Sequence, residues 1–174
     1  VMAGGFLQAN QFVNTKILNT LIEEFNNCKD LKLLELYAGC GNFTIPLSKL
    51  FKHVVAVEGS HVSVQALEEN LYRNNIINVM AIKNDVKEEV IKNFNLKRTY
   101  DVVLIDPPRI GAKEIVTYLP HLGVNTIVYL SCNPSTLARD LQILINSGFS
   151  LEKVIPFDMF PQTFHIEALA ILKR

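Results

Sequence analysis

The sequence predicts a doubly wound α/β fold, a mostly parallel sheet that ends in a C-terminal antiparallel hairpin, and three observations carry that prediction. From Leu33 onward, short apolar runs alternate with segments of helical period. The early runs are apolar on both faces and rich in Val, Ile and Leu, the composition of strands covered on both sides by crossover helices. The last two runs are joined by residues 158–165, a stretch that carries Pro161 and is too short for a crossover helix, so these two strands pair antiparallel.

Taken in order, residues 10–26 read as an opening helix with Leu18, Leu21, Ile22 and Phe25 as its apolar stripe. Strands are expected at 33–37, 54–58, 79–82, 101–105 and 126–130, and two more near 151–157 and 166–172. Residues 42–50, 60–74, 86–93, 111–119 and 134–147 suit the helices between them. A parallel sheet closed by such a hairpin resembles the Rossmann-like class I methyltransferase fold. No internal repeat, low-complexity tract or linker interrupts the pattern.

With 174 residues, 49% hydrophobic and 20% charged, the chain is expected to form one well-cored soluble domain over 1–174. No apolar run is long enough to span a bilayer, and the opening Val1-Met2-Ala3-Gly4-Gly5 lacks the features of a signal peptide, so a cytoplasmic location is expected and no membrane partner. Three widely spaced cysteines, Cys28, Cys40 and Cys132, fit neither a disulfide framework nor a paired metal-binding spacing, and no bound metal is expected. Seventeen basic residues balance seventeen acidic ones, which is weak for a protein that holds a polyanion unaided.

The run Glu35-Leu36-Tyr37-Ala38-Gly39-Cys40-Gly41-Asn42-Phe43 follows the first strong strand and opens a helix, so Gly39 and Gly41 let backbone approach a ligand closely. Thr44 follows where a dinucleotide fingerprint has its third glycine, which favours a nucleoside ligand without a pyrophosphate. Glu58 ends the second strand, the position from which an acid accepts hydrogen bonds from ribose hydroxyls. The competing reading is an ordinary exposed carboxylate. Asp85 and Asp106, just after the third and fourth strands, extend a row of acids at strand carboxyl ends.

Cys132 lies just past the fifth strand, with Asn133 as cap and Pro134 in the first turn of the next helix. That placement makes a nucleophile, with a thiol pKa lowered by the helix N-terminus, the first reading; taken alone, an inert buried thiol is the commoner use. Asp106-Pro107-Pro108-Arg109 makes a stiff loop that can present a carboxylate and carbonyls to a planar ring, or serve as a rigid turn. Arg109 suits pairing with a phosphate or carboxylate, or plain solvation. In the hairpin connection Phe160 and Phe164 suit stacking on an unstacked base, core packing being the competing use. For His165 a structural role and a catalytic one stand level. Cys28 and Cys40 are assigned to packing and loop structure. Arg139 and Asp140 are either an exposed pair or a hold on the Cys132 loop.

These stretches, together with Phe6-Leu7-Gln8-Ala9-Asn10 and Ser131-Cys132-Asn133-Pro134-Ser135-Thr136-Leu137-Ala138-Arg139-Asp140, resemble the catalytic domain of the S-adenosylmethionine-dependent RNA (uracil-5-)-methyltransferases, enzymes that form 5-methyluridine in tRNA or rRNA. The resemblance spans almost the whole chain in family order. It implies that Gln8, Tyr37, Asn42, Glu58, Asp85 and Asp106 contact S-adenosylmethionine, with Asn84 an alternative to Asp85. It implies that Cys132 is the nucleophile and Glu167 the base. A thiolate adding to uracil C6 turns the ring into an enolate whose C5 can attack a methyl group, and a carboxylate must then remove the C5 proton. The uridine is expected to be flipped out, with the 106–109 loop and Phe160 or Phe164 as its walls. Full-length family members carry N-terminal RNA-binding portions, some with an iron–sulfur cluster held by four cysteines, so the chain reads as a C-terminal fragment and its neutral charge is accounted for.

Three rivals remain. An exocyclic-amine methyltransferase acting on adenine or cytosine also places an acidic or amide residue before Pro-Pro, but needs no thiol. A non-catalytic cofactor- or RNA-binding module does not need both Cys132 and Glu167. A nicotinamide-dependent oxidoreductase is disfavoured by the missing third glycine.

Overall fold

The computed structural model describes residues 10–158 and 166–174, and the chain forms two compact units that meet in sequence between Val86 and Lys87. The first opens with α1 (Gln11–Glu24), capped by the Asn10 side chain, which accepts from the Val13 N–H at 3.2 Å. Its core face is Val13, Ile17, Leu21 and Phe25, spaced four apart. The expected stripe is thus rotated: Leu18 and Ile22 lie half-buried at its margin.

Three parallel strands follow in the order β3-β2-β1: β1 (Lys32–Leu36), β2 (His53–Glu58) and β3 (Val79–Lys83). Leu36 pairs with Val57 and Glu58 with Lys83, so all three strands end at the same level. Leu33, Leu34, Leu36, Val54, Ala56 and Val57 are buried, the two-sided burial that their composition predicts. Between strands lie α2 (Thr44–Leu47) and α3 (His61–Arg73). The first is a single turn rather than the helix expected over 42–50, because the Ser48 hydroxyl donates to the Ile45 carbonyl at 2.7 Å and closes the turn. Ser60 caps α3 by accepting from Ser63 N–H.

In the second unit, α4 (Val86–Asn95) leads into β4 (Val102–Ile105), buried on both faces. That strand runs parallel to β5 (Thr126–Ser131), and β7 (Ile166–Lys173) lies antiparallel between β5 and the edge strand β6 (Ser150–Asp158). The order is β4-β5-β7-β6, with the hairpin where the sequence places it. The helix expected over 111–119 is instead α5 (Lys113–Val116) followed by a 3-10 turn, Leu119–Leu122. Gly111, at φ 76°, and Pro120 break the longer helix. The last helix, α6 (Pro134–Asn146), starts as expected: Asn133 accepts from Ser135 N–H at 3.1 Å and Pro134 occupies the first turn.

Candidate active site

In the first unit the chain leaves β1 one residue earlier than expected, because Tyr37 adopts a left-handed φ of 65°. Holding a non-glycine residue there costs about 1 kcal/mol or more, and the residue marks the start of the glycine loop. Gly39 and Gly41 follow at φ 56° and 93°. A Cβ on Gly41 would lie 2.6 Å from Leu67 Cδ1, so this glycine is required by packing between loop and α3. A Cβ on Gly39 would meet nothing within 4 Å: its Cα faces open space. Glu58 at the end of β2 is not an idle surface carboxylate. Its Oε2 accepts from the Gly39 N–H at 2.9 Å and its Oε1 from the Ser60 N–H at 2.7 Å, which ties the loop to the neighbouring strand.

Asn42 is fixed from the opposite side, its amide exchanging two hydrogen bonds with Asn14 of α1, each 2.9 Å. Asn70 of α3 donates to the Cys40 carbonyl at 3.0 Å. The loop therefore combines backbone N–H groups, an open glycine and a held acid, a set suited to the sugar of a nucleoside. Asp85 is exposed and its N–H is accepted by the half-buried Asn84 side chain at 2.9 Å, so both stay candidates. Below the loop lies Glu35, buried within β1, its carboxyl pushed up to about 8 by burial. Sequence reasoning assigned it no role. The signal was an acid inside an otherwise apolar strand.

In the second unit Asp106 and Pro107 are half-buried and buried, and Pro108 and Arg109 are exposed. The turn after β5 is closed by Ser131, whose hydroxyl accepts the Asn133 N–H at 3.1 Å and donates to the Asn133 carbonyl at 3.2 Å. Cys132 is at its apex, half-buried, whereas Cys28 and Cys40 are buried. Ser131 pairs with Ala168 across the antiparallel ladder, which sets Glu167 opposite Cys132 one step beyond. Burial and the Glu167 charge push the Cys132 thiol above its ordinary value, and the Arg109 guanidinium pulls the other way. The expected net lowering by the helix N-terminus is therefore overturned: desolvation outweighs it. Burial also raises Glu167, to about 7.

Pro107, Arg109, Cys132 and Glu167 thus belong to one unit, as do Tyr37, Gly39, Gly41, Asn42 and Glu58 in the other. Gln8, Phe160, Phe164 and His165 lie outside the described residues. Of the two readings left open for Asp140, an exposed pair or a hold on the Cys132 loop, the first is excluded: it is fully buried. Its signal was a charge at a core position of α6, in register with Leu137, Leu141 and Leu144.

The Pyrococcus abyssi tRNA (uracil-54, C5)-methyltransferase in complex with S-adenosyl-L-homocysteine matches with a TM-score of 0.82 and 28% identity, over 97% of this chain and 40% of that one. TrmN from Thermus thermophilus matches at 0.69 and 14% identity, over 91% of this chain and 48% of that one, a likeness of fold alone. The fold is that of the Rossmann-like class I methyltransferases, as the strand pattern predicts. The family model described as tRNA (Uracil-5-)-methyltransferase matches residues 1–174, and the chain belongs to that family. It is 42% identical over 170 residues to the 23S rRNA (uracil(1939)-C(5))-methyltransferase RlmD of Vesicomyosocius okutanii, covering 97% of this chain and 39% of that protein. The protein of the same name from Pseudomonas entomophila is 38% identical, over 98% of this chain and 38% of that protein. The chain thus spans about two fifths of the length of these relatives. Among the described residues no helix is long and apolar enough to cross a membrane.

Proposed function

We propose that residues 1–174 form the catalytic domain of a cytoplasmic RNA (uracil-5-)-methyltransferase, with uridine in rRNA as the favoured substrate and tRNA as the second. The higher identity to the relatives named for 23S rRNA supports that order. The observation that carries the reading is the trio in the second unit: a half-buried thiol at the end of β5, a guanidinium whose charge acts on it, and a carboxyl near neutrality across the ladder.

The residues of the first unit fit S-adenosylmethionine. Glu58 would accept from the ribose hydroxyls, the open face at Gly39 leaves room for the ligand, and Tyr37, Asn42 and Asp85 or Asn84 would add contacts, with Gln8 and Asp106 assigned by the family resemblance alone. When bound, the cofactor supplies an electrophilic methyl group on sulfonium, which the nucleophilic C5 of the substrate takes up. The chain's own residues do the rest. Cys132, as thiolate, forms the Sγ–C6 bond, and the ring's electron pair moves to C5 and O4. Arg109 favours the thiolate against burial and the Glu167 charge. Glu167 removes the C5 proton, the pair re-forms the C5=C6 bond, and the Sγ–C6 bond breaks. A carboxyl at about 7 holds that proton weakly enough to release it to water at neutral pH. Pro107 and the aromatic residues Phe160 and Phe164 would wall a flipped-out base. The N-terminal RNA-binding portion typical of the family would supply the phosphate contacts that a neutral chain does not.

Mass spectrometry of the protein incubated with S-adenosylmethionine and RNA bearing 5-fluorouridine tests this reading, since fluorine cannot leave as a proton does. The expected result is a covalent adduct mapped to Cys132 and absent from Cys132→Ala. Cofactor binding without any adduct, together with methylation of an exocyclic amine, would overturn it.

A further inference from the structure

The loop after β4 is gripped from one side by α6. The Arg109 carbonyl accepts from Asn133 Nδ2 at 3.1 Å and from Thr136 Oγ1 at 3.2 Å, and the Ile110 carbonyl accepts from Arg139 Nη2 at 2.9 Å. The Ala112 N–H donates to Asp140 Oδ2 at 2.7 Å. Four consecutive loop residues therefore have three backbone groups bound to side chains of one helix and its cap. Asp140 is the hub. The same Oδ2 accepts from the buried Tyr129 hydroxyl of β5 at 2.7 Å, and Oδ1 accepts from Arg139 Nε at 2.8 Å, which orients the guanidinium toward Ile110. Gly111 completes the grip. A Cβ there would lie 2.6 Å from Asp140 Oδ2 and 2.7 Å from Arg139 Nη2, so the loop runs against the two charged groups with no space between.

Burying a carboxylate is costly unless it is paired and fully hydrogen-bonded, and a rigid turn after Pro-Pro does not require one. The loop does carry something that must not wander: Arg109, whose backbone is held against Asn133, the neighbour of Cys132, and whose charge, from an otherwise exposed position, lowers the thiol pKa against the effect of burial. An exposed arginine loses side-chain freedom when its charge is kept in one place, and fixing its backbone reduces that loss. We propose that Asp140 is a positioning residue for the nucleophile: by locking the backbone from Arg109 to Ala112 onto α6, it keeps the Arg109 charge acting on the Cys132 sulfur. The purpose assigned here rests on the reading of Cys132 as nucleophile, but the effect itself is read at the thiol without RNA. Among the described residues, the charged groups that act on that thiol are Arg109, from the gripped loop, and Glu167, from β7.

The test is the pH dependence of Cys132 alkylation by iodoacetamide, followed at peptide level so that Cys28 and Cys40 are read separately. Asp140→Asn should raise the midpoint by about one pH unit, which is about a tenfold slower reaction below it. Thr136→Val, which releases the Arg109 carbonyl without leaving a buried charge, should move it the same way by less. In an Arg109→Ala background, Asp140→Asn should move it no further, because both act through one charge. S-adenosylmethionine affinity should be unchanged in all of them. A midpoint that stays in place in Asp140→Asn while Tm falls would show a structural role alone, and a shift that persists without Arg109 would overturn the route. If Asp140→Asn does not fold, Thr136→Val decides: an unmoved midpoint overturns the proposal. Loss of 5-fluorouridine adducts with an unmoved midpoint would count against the function, not the grip.

Discussion

The loop after β1 and the loop after β4 leave their strands at equivalent points and are built by opposite means. The first is shaped by backbone freedom: Tyr37, Gly39 and Gly41 all take positive φ, and the acid that fixes it, Glu58, binds main-chain N–H groups. The second is shaped by constraint: two prolines limit φ, and side chains of α6 hold its carbonyls and one N–H. On the proposed function, the difference follows from what each loop would do. A loop that lies against a ligand must present N–H groups and lack side-chain bulk. A loop that carries a charged side chain to a thiol must hold one backbone position.

That contrast can be broken from either side. The largest effect is expected in the second unit, from Glu167→Gln: turnover should drop about 10²–10⁴-fold while the Cys132–RNA adduct accumulates with ordinary uridine, since only proton removal is blocked. Rapid-quench mass spectrometry of enzyme and RNA checks this, with calorimetry expected to show unchanged cofactor affinity. In the first unit, Gly41→Ala should do the reverse. Overpacking against Leu67 and the left-handed φ should together cost about 1–3 kcal/mol of stability and weaken cofactor binding. Denaturant unfolding and cofactor titration give both numbers, and Cys132 alkylation in the same variant should be unaffected.

A third prediction concerns Glu35. Its carboxyl is at about 8 in the fold against an ordinary value of 4.5, so between those values the folded chain binds a proton that the unfolded chain has lost. Stability from this group is therefore complete at low pH and falls as pH rises through that window. Glu35→Gln, which needs no proton, should gain on the wild type steadily from about pH 5 to about pH 8. Thermal melts should show this as about 2–4 °C of Tm for each kcal/mol. A constant difference across that range would mean that Glu35 does not titrate in the fold.

Much of the architecture was legible because the two periods differ so clearly. Five runs apolar on both faces, separated by helical stretches, leave few folds other than a parallel sheet, and the short Pro161 segment forces the closing hairpin. What misled was local. Residues 42–50 have helical composition, yet only Thr44–Leu47 is helical, with the Ser48 hydroxyl closing the turn on Ile45, a local side-chain-to-backbone bond that periodicity does not reveal. For the site, the sequence singles out Cys132 and Glu167 as candidates, but does not reveal their electrostatics. Proximity to a helix N-terminus is visible in a sequence, whereas the burial that dominates the thiol depends on strands far away along the chain. Asp140 shows the same limit: its spacing places it on the core face of α6, and only the fold reveals that a loop backbone waits there.

The raised thiol has a consequence for the resting protein. A thiol raised in this way is mostly S–H at neutral pH, and peroxide and other electrophiles react with the thiolate, so Cys132 is expected to oxidise slowly despite its half-open position. On the proposed function, the nucleophile is thus carried in a latent form. It would be drawn into reaction by a substrate that can accept the electron pair rather than by whatever oxidant is at hand.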